Sequence, residues 1–448
     1  MRKMNINKDK SLIREGSWDE ASEEQFDCYP MGKDERAHFS TDSRMTGCNN
    51  NYLIVGGSGS GKTESIAKPM IHNTRNSNLV VVCTKKKIME YAEKDLKEKG
   101  YRCLIIDFVN PKKSPFGYDP LKVCQSNRDI RDLANTIMLA TNHTGEAKDP
   151  YWENSAESML TLILEVVSCH TKSKSMDTAM ELIDTFRHVG CESEWKIDEA
   201  DDDLDEIEEK LEVYPLHNLL ELASKENKRW KAAWKTFTDL REATGACVAN
   251  CTQEPVAKIF SDEIRAMIKR QPQFEFEELL HNKTAVIVYV SPVNKAHNTF
   301  ISIFYQQMFK TLFEKAEETE NGKLPYPVQI ICDDFATGCK VPNFQELISI
   351  FREKRIGVTL LIQSESQLDA MYERRNAITI VNNCDTYVYL GGMDLKTCES
   401  ISKRIDIPCN EVLNMPIGKE YVFRRGQGPI ITERYSLRGE NQTKNIAR

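Results

Sequence analysis

Residues 52–63 read YLIVGGSGSGKT and place a short apolar run directly before a glycine-rich loop. The apolar run is typical of a buried strand, and a helix is expected to begin near Lys62. The loop fits the pattern G-x-x-x-x-G-K-[ST] at every fixed position. Strand, loop and helix in this order predict a phosphate-binding loop, whose members are Gly56, Gly57, Ser58, Gly59, Ser60, Gly61, Lys62 and Thr63.

The residue types in this loop suit the binding of a nucleotide. Glycines adopt positive φ without steric cost and let backbone N–H groups turn inward around phosphate oxygens. The Lys62 ammonium is expected to reach the β- and γ-phosphates, and the Thr63 hydroxyl is expected to bind Mg²⁺. The alternative, a Gly/Ser-rich surface turn, does not account for the strand before the loop or the helix after it. We therefore expect ATP and Mg²⁺ as ligands.

Apolar runs alternate with helical patterns on both sides of a long central segment. This rhythm is typical of βαβ units and predicts an α/β fold with a mainly parallel sheet. The predicted strands beyond the first are Leu79–Cys83, Arg102–Phe108, Ala285–Val290, Val328–Cys332, Val358–Ile362 and Thr386–Leu390.

The central segment, residues 129–271, has helical patterns throughout and predicts an inserted all-alpha domain. Its predicted helices are Ile130–Ala140, Trp152–Val167, Met176–Arg187 and Lys228–Glu242. An acidic run, Asp198–Glu209, is interpreted as a solvated helix face or a mobile loop. The remaining boundaries are an irregular arm over 1–50, a nucleotide-binding domain over 51–128 and 272–435, and a loose tail over 436–448.

Two acidic residues directly follow one of the later strands. Asp333 and Asp334 come after Val328–Cys332, where an ATPase of this type needs an acid for Mg²⁺ and a group that orients the attacking water. We assign Asp333 to the metal and Asp334 to the water, against the alternative of two solvated turn acids. Aspartate is one methylene shorter than glutamate, and a misplacement of about 1 Å can cost on the order of 100-fold in rate. Slow hydrolysis, or none, therefore stays open.

Other candidate site residues lie on and before the next strand. Gln363 ends Val358–Ile362 and is either a sensor of the γ-phosphate or a surface glutamine. Arg352, Lys354 and Arg355 precede this strand. In a ring-forming ATPase a cation reaches the phosphate of a neighbouring subunit, whereas the alternative for each of these three is a solvated helix end.

Composition restricts the partners of the chain. The 448 residues carry 60 basic and 68 acidic side chains, a net charge of −8, which excludes broad coating of duplex DNA. Contact with nucleic acid must then be local, and the Lys85–Lys87 run is one candidate. No apolar run approaches the roughly 20 residues of a membrane span, and the amino terminus does not read as a secretory signal.

The 14 cysteines are scattered and are interpreted as reduced, buried or incidental residues. A zinc site that combines Cys247 and Cys251 with Cys169 and His170 is the alternative, but no second ligand pair has suitable spacing.

Several segments beyond the loop resemble the type IV secretion coupling proteins, the DNA-transfer ATPases of bacterial conjugation. The most diagnostic is Gln363-Ser364-Glu365-Ser366-Gln367-Leu368. The resemblance extends from the loop to about Tyr435 and is closest to versions from conjugative elements of Gram-positive bacteria. The other matching segments are Leu53–Pro69, Asp149–Glu153, Asp333–Phe344, Phe351–Tyr372 and Asn382–Gly392.

The resemblance implies a RecA-like nucleotide-binding domain, a helical insertion that recognises cargo, and assembly into a homo-oligomeric ring, with a hexamer as the expected form. It implies partners as well: single-stranded DNA, a relaxase and the components of a type IV secretion channel. Gln363 would then be the γ-phosphate sensor and Arg352 the cation that acts on a neighbouring subunit. The expected location is the cytoplasm at the inner face of the plasma membrane, reached through partners and without a span of its own.

The sequence departs from the family pattern at three places. Asp334 stands where the family has Glu, and residues 83–87 read CTKKK where it has Asp-Pro-Lys-Gly-Glu. The usual transmembrane helices are absent, and Gly16-Ser17-Trp18 resembles the segment that follows them. Three functions stay open: a DNA-translocating ATPase motor, a hydrolysis-poor docking or regulatory paralogue, and another RecA-like DNA translocase.

Overall fold

Nine strands form one twisted sheet in the computed structural model, which describes residues 26–139, 150–187, 215–335 and 339–437. The order across the sheet is β11-β10-β9-β3-β8-β7-β4-β6-β5, and a separate hairpin pairs β1 with β2. The strands are β1 (Cys28–Pro30), β2 (His38–Ser40), β3 (Tyr52–Val55), β4 (Asn78–Cys83), β5 (Arg102–Asp107), β6 (Thr284–Tyr289), β7 (Val328–Cys332), β8 (Ile356–Ile362), β9 (Thr386–Tyr389), β10 (Lys419–Arg424) and β11 (Ile430–Glu433).

The sheet is parallel from β9 to β5, and only the edge strands β10 and β11 are antiparallel. The strand before the glycine-rich loop is central. Val55, its last residue, pairs with Ile362 of β8 on one side and with Tyr389 of β9 on the other. The carboxyl ends of these strands therefore meet at one edge of the sheet, where ligands bind in folds of this class.

Helices cover both faces of the sheet and fill the interval between β5 and β6. They are α1 (Ser43–Thr46), α2 (Lys68–Asn73), α3 (Lys86–Glu98), α4 (Pro120–Val123), α5 (Asn127–Leu139), α6 (Pro150–His170), α7 (Met176–Asp184), α8 (Pro215–Glu226), α9 (Lys228–Thr238), α10 (Glu242–Ile259), α11 (Asp262–Lys269), α12 (Asn298–Glu317), α13 (Phe344–Ile350), α14 (Glu365–Asn382), α15 (Leu395–Ile405) and α16 (Cys409–Leu413).

Successive side chains of β3 enter different apolar layers, as the two-residue period of a strand requires. Leu53 and Val55 belong to the large core that continues into the helical block, whereas Tyr52 and Ile54 belong to a second core on the other face. The second core packs against α2, α3 and the β1–β2 hairpin. Both faces of the central strands are thus buried, which explains their continuous apolar runs.

The helical block contains no strand in its described residues. Glu165 is fully buried in α6, where it accepts a hydrogen bond from Trp230 Nε1 at 2.8 Å and pairs with Arg229. The predicted helix Lys228–Glu242 is in fact α9 followed by a separate α10. Gly245 and Pro255 lie inside α10 and weaken its helical pattern in the sequence. The acidic run Asp198–Glu209 lies outside the described residues.

The expectation of an irregular arm over residues 1–50 was wrong for residues 26–50. This segment forms the hairpin and α1, and it is tied into the domain by Asp27. The Asp27 carboxylate accepts hydrogen bonds from the backbone N–H groups of Arg75, Asn76 and Ser77 at 2.8–3.0 Å. Three donors converging on one buried carboxylate are not visible in a linear pattern.

Within the four described ranges, we find no helix with an apolar stretch that could span a membrane.

Candidate nucleotide-binding site

The glycine-rich loop leaves the carboxyl end of β3 and curves between β8 and β9. The Gly56 N–H donates to the Ile362 carbonyl at 3.1 Å, and the Gly57 N–H donates to the Gly391 carbonyl at 2.8 Å. A Cβ on Gly57 would lie 3.6 Å from the Cα of Gly392, so the two glycine-containing segments pack backbone against backbone. Gly391 and Gly392, which end the matching segment Asn382–Gly392, thus form one wall of the loop.

Positive φ angles shape the rest of the loop, 75° at Gly59 and 84° at Gly61. Side chains other than glycine rarely adopt this conformation. The helix then begins as predicted near Lys62, with a π-helical turn over Thr63–Ala67 that continues into α2. The N-terminus of this helix directs its backbone N–H groups to the interior of the loop.

Lys62 is 7% exposed and lies inside the curve of the loop. Its ammonium donates to the Gly56 carbonyl at 2.5 Å and to the Gly57 carbonyl at 3.2 Å. Burial lowers the pKa of Lys62, whereas the charges of Asp334 and Asp333 act in the opposite direction. The cation is therefore held where the sequence pattern places phosphate oxygens.

Asp333 links the loop to β7, two strands away in the sheet. Its carboxylate Oδ1 accepts a hydrogen bond from Thr63 Oγ1 at 3.1 Å. Its Oδ2 is buried and has no hydrogen-bond partner in the described residues. Burial, followed by the charge of Asp334, raises the pKa of Asp333. A hydroxyl beside a buried carboxylate oxygen offers the hard oxygen ligands that Mg²⁺ prefers, so these two residues fit the predicted metal site.

Asp334 lies directly beside this pair, with its backbone at φ 55°. Its Oδ2 accepts a hydrogen bond from Thr84 Oγ1 at 3.3 Å and lies 3.6 Å from Lys85 Nζ. The Lys85 ammonium is also 4.0 Å from Asp333 Oδ2. The CTKKK segment therefore supplies a hydroxyl and a cation that both face the carboxylates. The interpretation of Lys85 as a DNA-contacting residue finds no support in this position.

Gln363 follows β8 and reaches the same edge of the sheet as the loop. Its backbone N–H donates to Gln367 Oε1 at 3.2 Å, and its side chain is half-buried. The fold thus brings together Lys62, Thr63, Asp333, Asp334 and Gln363.

The fold does not bring Arg352 to this group. Arg352 is exposed, precedes the amino end of β8, and donates from Nη2 to the Ser43 carbonyl at 3.1 Å. Of the other two cations, Lys354 is buried and pairs with Glu317, and Arg355 lies within 3.5 Å of the Leu324 carbonyl. Arg352 is therefore the most exposed of the three, and it lies at the opposite end of the strand from Gln363.

One cation near the loop was missed by sequence reasoning. Arg434, directly after β11, places Nη1 3.4 Å from the position that a Cβ would occupy on Gly61. Its Nη2 donates to the Leu390 carbonyl at 2.9 Å. β11 is only four residues long and alternates buried and exposed residues, and no predicted strand followed Leu390. A basic residue after β11 therefore gave no signal in the sequence.

The candidate zinc ligands do not converge. Within the described ranges no group of three or more His, Cys, Asp or Glu side chains could hold a metal ion. Cys247 and Cys251 lie in α10, whereas Cys169 and His170 end α6.

The fold and loop define a RecA-like α/β protein with a helical domain, and the comparisons with known proteins place it more closely. Residues 4–406 match the family model described as type IV secretory system conjugative DNA transfer. This covers most of the chain, and the chain therefore belongs to that family. The resemblance inferred from the sequence is confirmed. A comparison with curated protein sequences finds no match.

Solved structures share the fold at low sequence identity. The conjugative coupling protein TrwB, in a form with sulphate, has a TM-score of 0.61 at 15% identity and covers 87% of each chain. TrwB in complex with ADP and Mg²⁺ has a TM-score of 0.60 at 15% identity, covering 86% of this chain and 85% of that one. VirB4 of Thermoanaerobacter pseudethanolicus has a TM-score of 0.50 at 12% identity, covering 88% and 92%.

Proposed function

We propose that this chain is an ATP-binding and ATP-hydrolysing coupling protein that moves single-stranded DNA with its relaxase to a type IV secretion channel. The observation that carries the proposal is the hydrogen bond from Thr63 to the buried Asp333, 3.1 Å long. It joins the phosphate-binding loop to the acid that follows β7, two strands away in the sheet, within a member of the conjugative DNA transfer family. The TrwB structures with ADP and Mg²⁺ support the same ligands by likeness of fold.

Each residue of the site has a defined part in this proposal. The loop N–H groups and Lys62 bind the β- and γ-phosphates, and Thr63 with Asp333 holds Mg²⁺, which neutralises charge on the phosphates. Asp334 orients the attacking water, and Gln363 senses the γ-phosphate from the end of β8. Like charges on Asp333 and Asp334 are balanced by Lys85, at 4.0 and 3.6 Å.

Assembly into a ring completes the proposal. Arg352 is exposed at the edge of the sheet away from its own loop, which suits a cation that serves a neighbouring subunit. The proposed domains are the nucleotide-binding domain, which includes residues 51–128 and 272–435, and the cargo-recognising helical domain over 129–271. Contact with the membrane at its inner face is made through partners.

The first test is steady-state ATP hydrolysis with and without single-stranded DNA, with Lys62→Ala as the blank. Turnover that DNA stimulates and that vanishes in Lys62→Ala is the expected result. Absence of ATP binding in the folded wild-type protein would overturn the proposal. A pull-down with the relaxase separates this coupling protein from another RecA-like translocase, because only the former is expected to retain the relaxase.

A hydrolysis-poor docking paralogue is the second candidate, and the surroundings of Asp334 favour it. Thr84 and Lys85 both engage the carboxylate oxygen Oδ2, so this oxygen is partly committed before any water is oriented. Tight ATP binding without turnover, with or without DNA, would identify this second function. Asp334→Glu would then test whether the shorter side chain of aspartate is the cause of the missing turnover.

A further inference from the structure

Arg434 lies beside the phosphate-binding loop, and neither it nor the nearby acidic residue Glu420 has a part in the site described above. Arg434 follows β11, and Glu420 lies on the adjacent β10, on the face that the β1–β2 hairpin covers. The Arg434 backbone N–H donates to the Gly418 carbonyl at 2.9 Å, which fixes this arginine at the end of the antiparallel pair. Its side chain then extends across β9 to Gly61.

The guanidinium of Arg434 is only partly satisfied by the protein. It donates from Nη2 to the Leu390 carbonyl, while its buried Nε has no hydrogen-bond partner in the described ranges. Guanidinium has five N–H donors in a planar fork that matches phosphate oxygens. Burial lowers the pKa of Arg434 from its ordinary value, an effect that the charge of Glu420 opposes.

Glu420 does not neutralise this arginine by direct contact. Both of its carboxylate oxygens are buried without a hydrogen-bond partner among the described residues, so Glu420 makes no hydrogen bond to Arg434. Burial raises the pKa of Glu420 to about 8, although Arg434 opposes the shift. At neutral pH this carboxyl therefore remains largely protonated. Among the described residues, the Leu390 carbonyl is then the one acceptor of the Arg434 guanidinium.

An incompletely paired, half-buried cation is costly unless an anion completes its contacts. The backbone of Gly61, against which Arg434 lies, belongs to the loop that surrounds the phosphates. We propose that Arg434 is a nucleotide-binding residue, a cation that the carboxyl-terminal edge of the sheet supplies in the same chain, in addition to Lys62, to contact the phosphates of the bound nucleotide. This inference rests on the proposed binding of ATP.

A structural role, in which Arg434 only ties β9 to the loop, makes different predictions. A purely structural arginine would affect unfolding of the nucleotide-free protein and would be indifferent to salt and to the number of phosphates on the ligand. A phosphate-contacting arginine affects the affinity, and its contribution falls as salt screens the charges. Lysine at the same position keeps the charge but loses the fork, so it should rescue affinity in part.

The test measures binding of fluorescent ADP and of a non-hydrolysable ATP analogue to the full chain at low and high salt. Arg434→Gln should weaken both by about 10- to 100-fold at low salt, and Arg434→Lys should recover part of this loss. Arg425→Gln is the matched control, since Arg425 lies 3.3 Å from Asp385 at the amino end of β9, away from the loop. Denaturant unfolding without nucleotide accompanies each variant.

The outcomes separate this inference from the proposed function. Binding by Arg434→Gln within about twofold of wild type would overturn the role of Arg434 and leave ATP binding intact. An equal loss in Arg434→Gln and Arg434→Lys, unaffected by salt and matched by loss of stability, would also overturn it. Failure of the folded wild-type protein to bind either nucleotide, as in Lys62→Ala, would overturn both proposals.

Discussion

Asp334 stands at φ 55°, in the left-handed region of the backbone, directly after the buried Asp333. Aspartate and asparagine tolerate this conformation better than longer side chains do, because their short polar groups can hydrogen-bond locally. A glutamate here gains one methylene of reach, but it costs up to about 1 kcal/mol of backbone strain. Aspartate at this position therefore suits the left-handed backbone conformation, and it also agrees with slow ATP hydrolysis.

Asp334→Asn tests the role of this residue with little structural disturbance. If Asp334 orients the attacking water, ATP turnover should fall by on the order of 100-fold or more, the usual contribution of a general base. Nucleotide affinity should be kept or should rise, since one negative charge near the phosphates is removed. Steady-state turnover and denaturant unfolding check both points. An Asn variant that hydrolyses ATP at the wild-type rate would remove Asp334 from the mechanism.

Glu420 should make the stability of the protein pH-dependent. Its pKa rises from an ordinary 4.5 to about 8 on folding, so between these values the folded state binds the proton and the unfolded state does not. Stability from this group is then full below pH 4.5 and is lost as the pH rises to 8. Glu420→Gln removes the titration, because an amide stays neutral.

The measurement is denaturant unfolding of wild type and Glu420→Gln from pH 6 to pH 9. The difference in the free energy of unfolding should move in favour of the Gln variant by about 2 kcal/mol between pH 6 and pH 8. Taking the difference between the two proteins at each pH removes the contribution of the other titrating groups to the free energy of unfolding. A difference that stays constant over this range would mean that Glu420 is ionised in the folded protein.

At the scale of elements, the amino-terminal hairpin is part of the domain that holds the nucleotide site. Gly32 lies between β1 and β2, where a Cβ would be 2.4 Å from Thr432 Cγ2 and 3.0 Å from Glu420 Oε1. The Asp34 N–H also donates to Thr432 Oγ1 at 3.0 Å. The hairpin is thus fitted against the edge strands that carry Arg434.

Gly32→Ala should destabilise the protein by about 1–3 kcal/mol, the usual cost of overpacking. The added methyl group must displace the hairpin or the β10–β11 edge, so nucleotide affinity should fall as well. Gly428→Ala is the matched control, because a Cβ at Gly428 meets no atom within 4 Å. Denaturant unfolding and nucleotide binding measure the two effects. Equal stability of the two variants would show that the hairpin is loosely held.

The elements that could be predicted from the sequence are those whose burial is uniform. β4, β7 and β8 are buried at every residue and appear in the sequence as continuous apolar runs. The hairpin strands have three residues each and β11 has four, and none of them is buried throughout, so their patterns are too weak to separate from loops. The positions of the phosphate-binding loop, Asp333, Asp334 and Gln363 at one edge of the sheet could be predicted because each of them follows such a run.

Contacts between residues that are far apart in the sequence could not be predicted in the same way. Lys85 and Asp334 are far apart in the sequence and meet because β4 and β7 are neighbours in the sheet. Arg434 reaches Gly61 only because two antiparallel strands extend the sheet beyond β9. Strand order, which sets both contacts, is a property of the whole fold and has no local signature.

At the scale of the whole molecule, Arg352 and the nucleotide loop lie at opposite ends of the parallel strands. β8 separates Arg352 from Gln363 with its seven residues, a length of about 23 Å at 3.3 Å per residue. Arg352 therefore cannot contact the nucleotide of its own chain without a large rearrangement. A role for it in catalysis requires a second copy of the chain, and this requirement makes the ring testable.

Mixing two inactive variants tests whether neighbouring subunits share a site. Lys62→Ala lacks a working loop and Arg352→Ala lacks the shared cation, so each alone should show almost no DNA-stimulated ATP turnover, although Arg352→Ala should still bind ATP. In mixed rings, a loop from an Arg352→Ala subunit can receive Arg352 from a Lys62→Ala neighbour. Random assembly places this combination at about a quarter of the interfaces, which sets the expected recovery of activity. Lys323→Ala is the control for a general loss of charge, because Lys323 lines the same surface hollow as Arg352. Recovery on mixing would require a shared site, whereas mixtures as inactive as their parents, in rings shown to exchange subunits, would exclude Arg352 as the cation supplied by the neighbour.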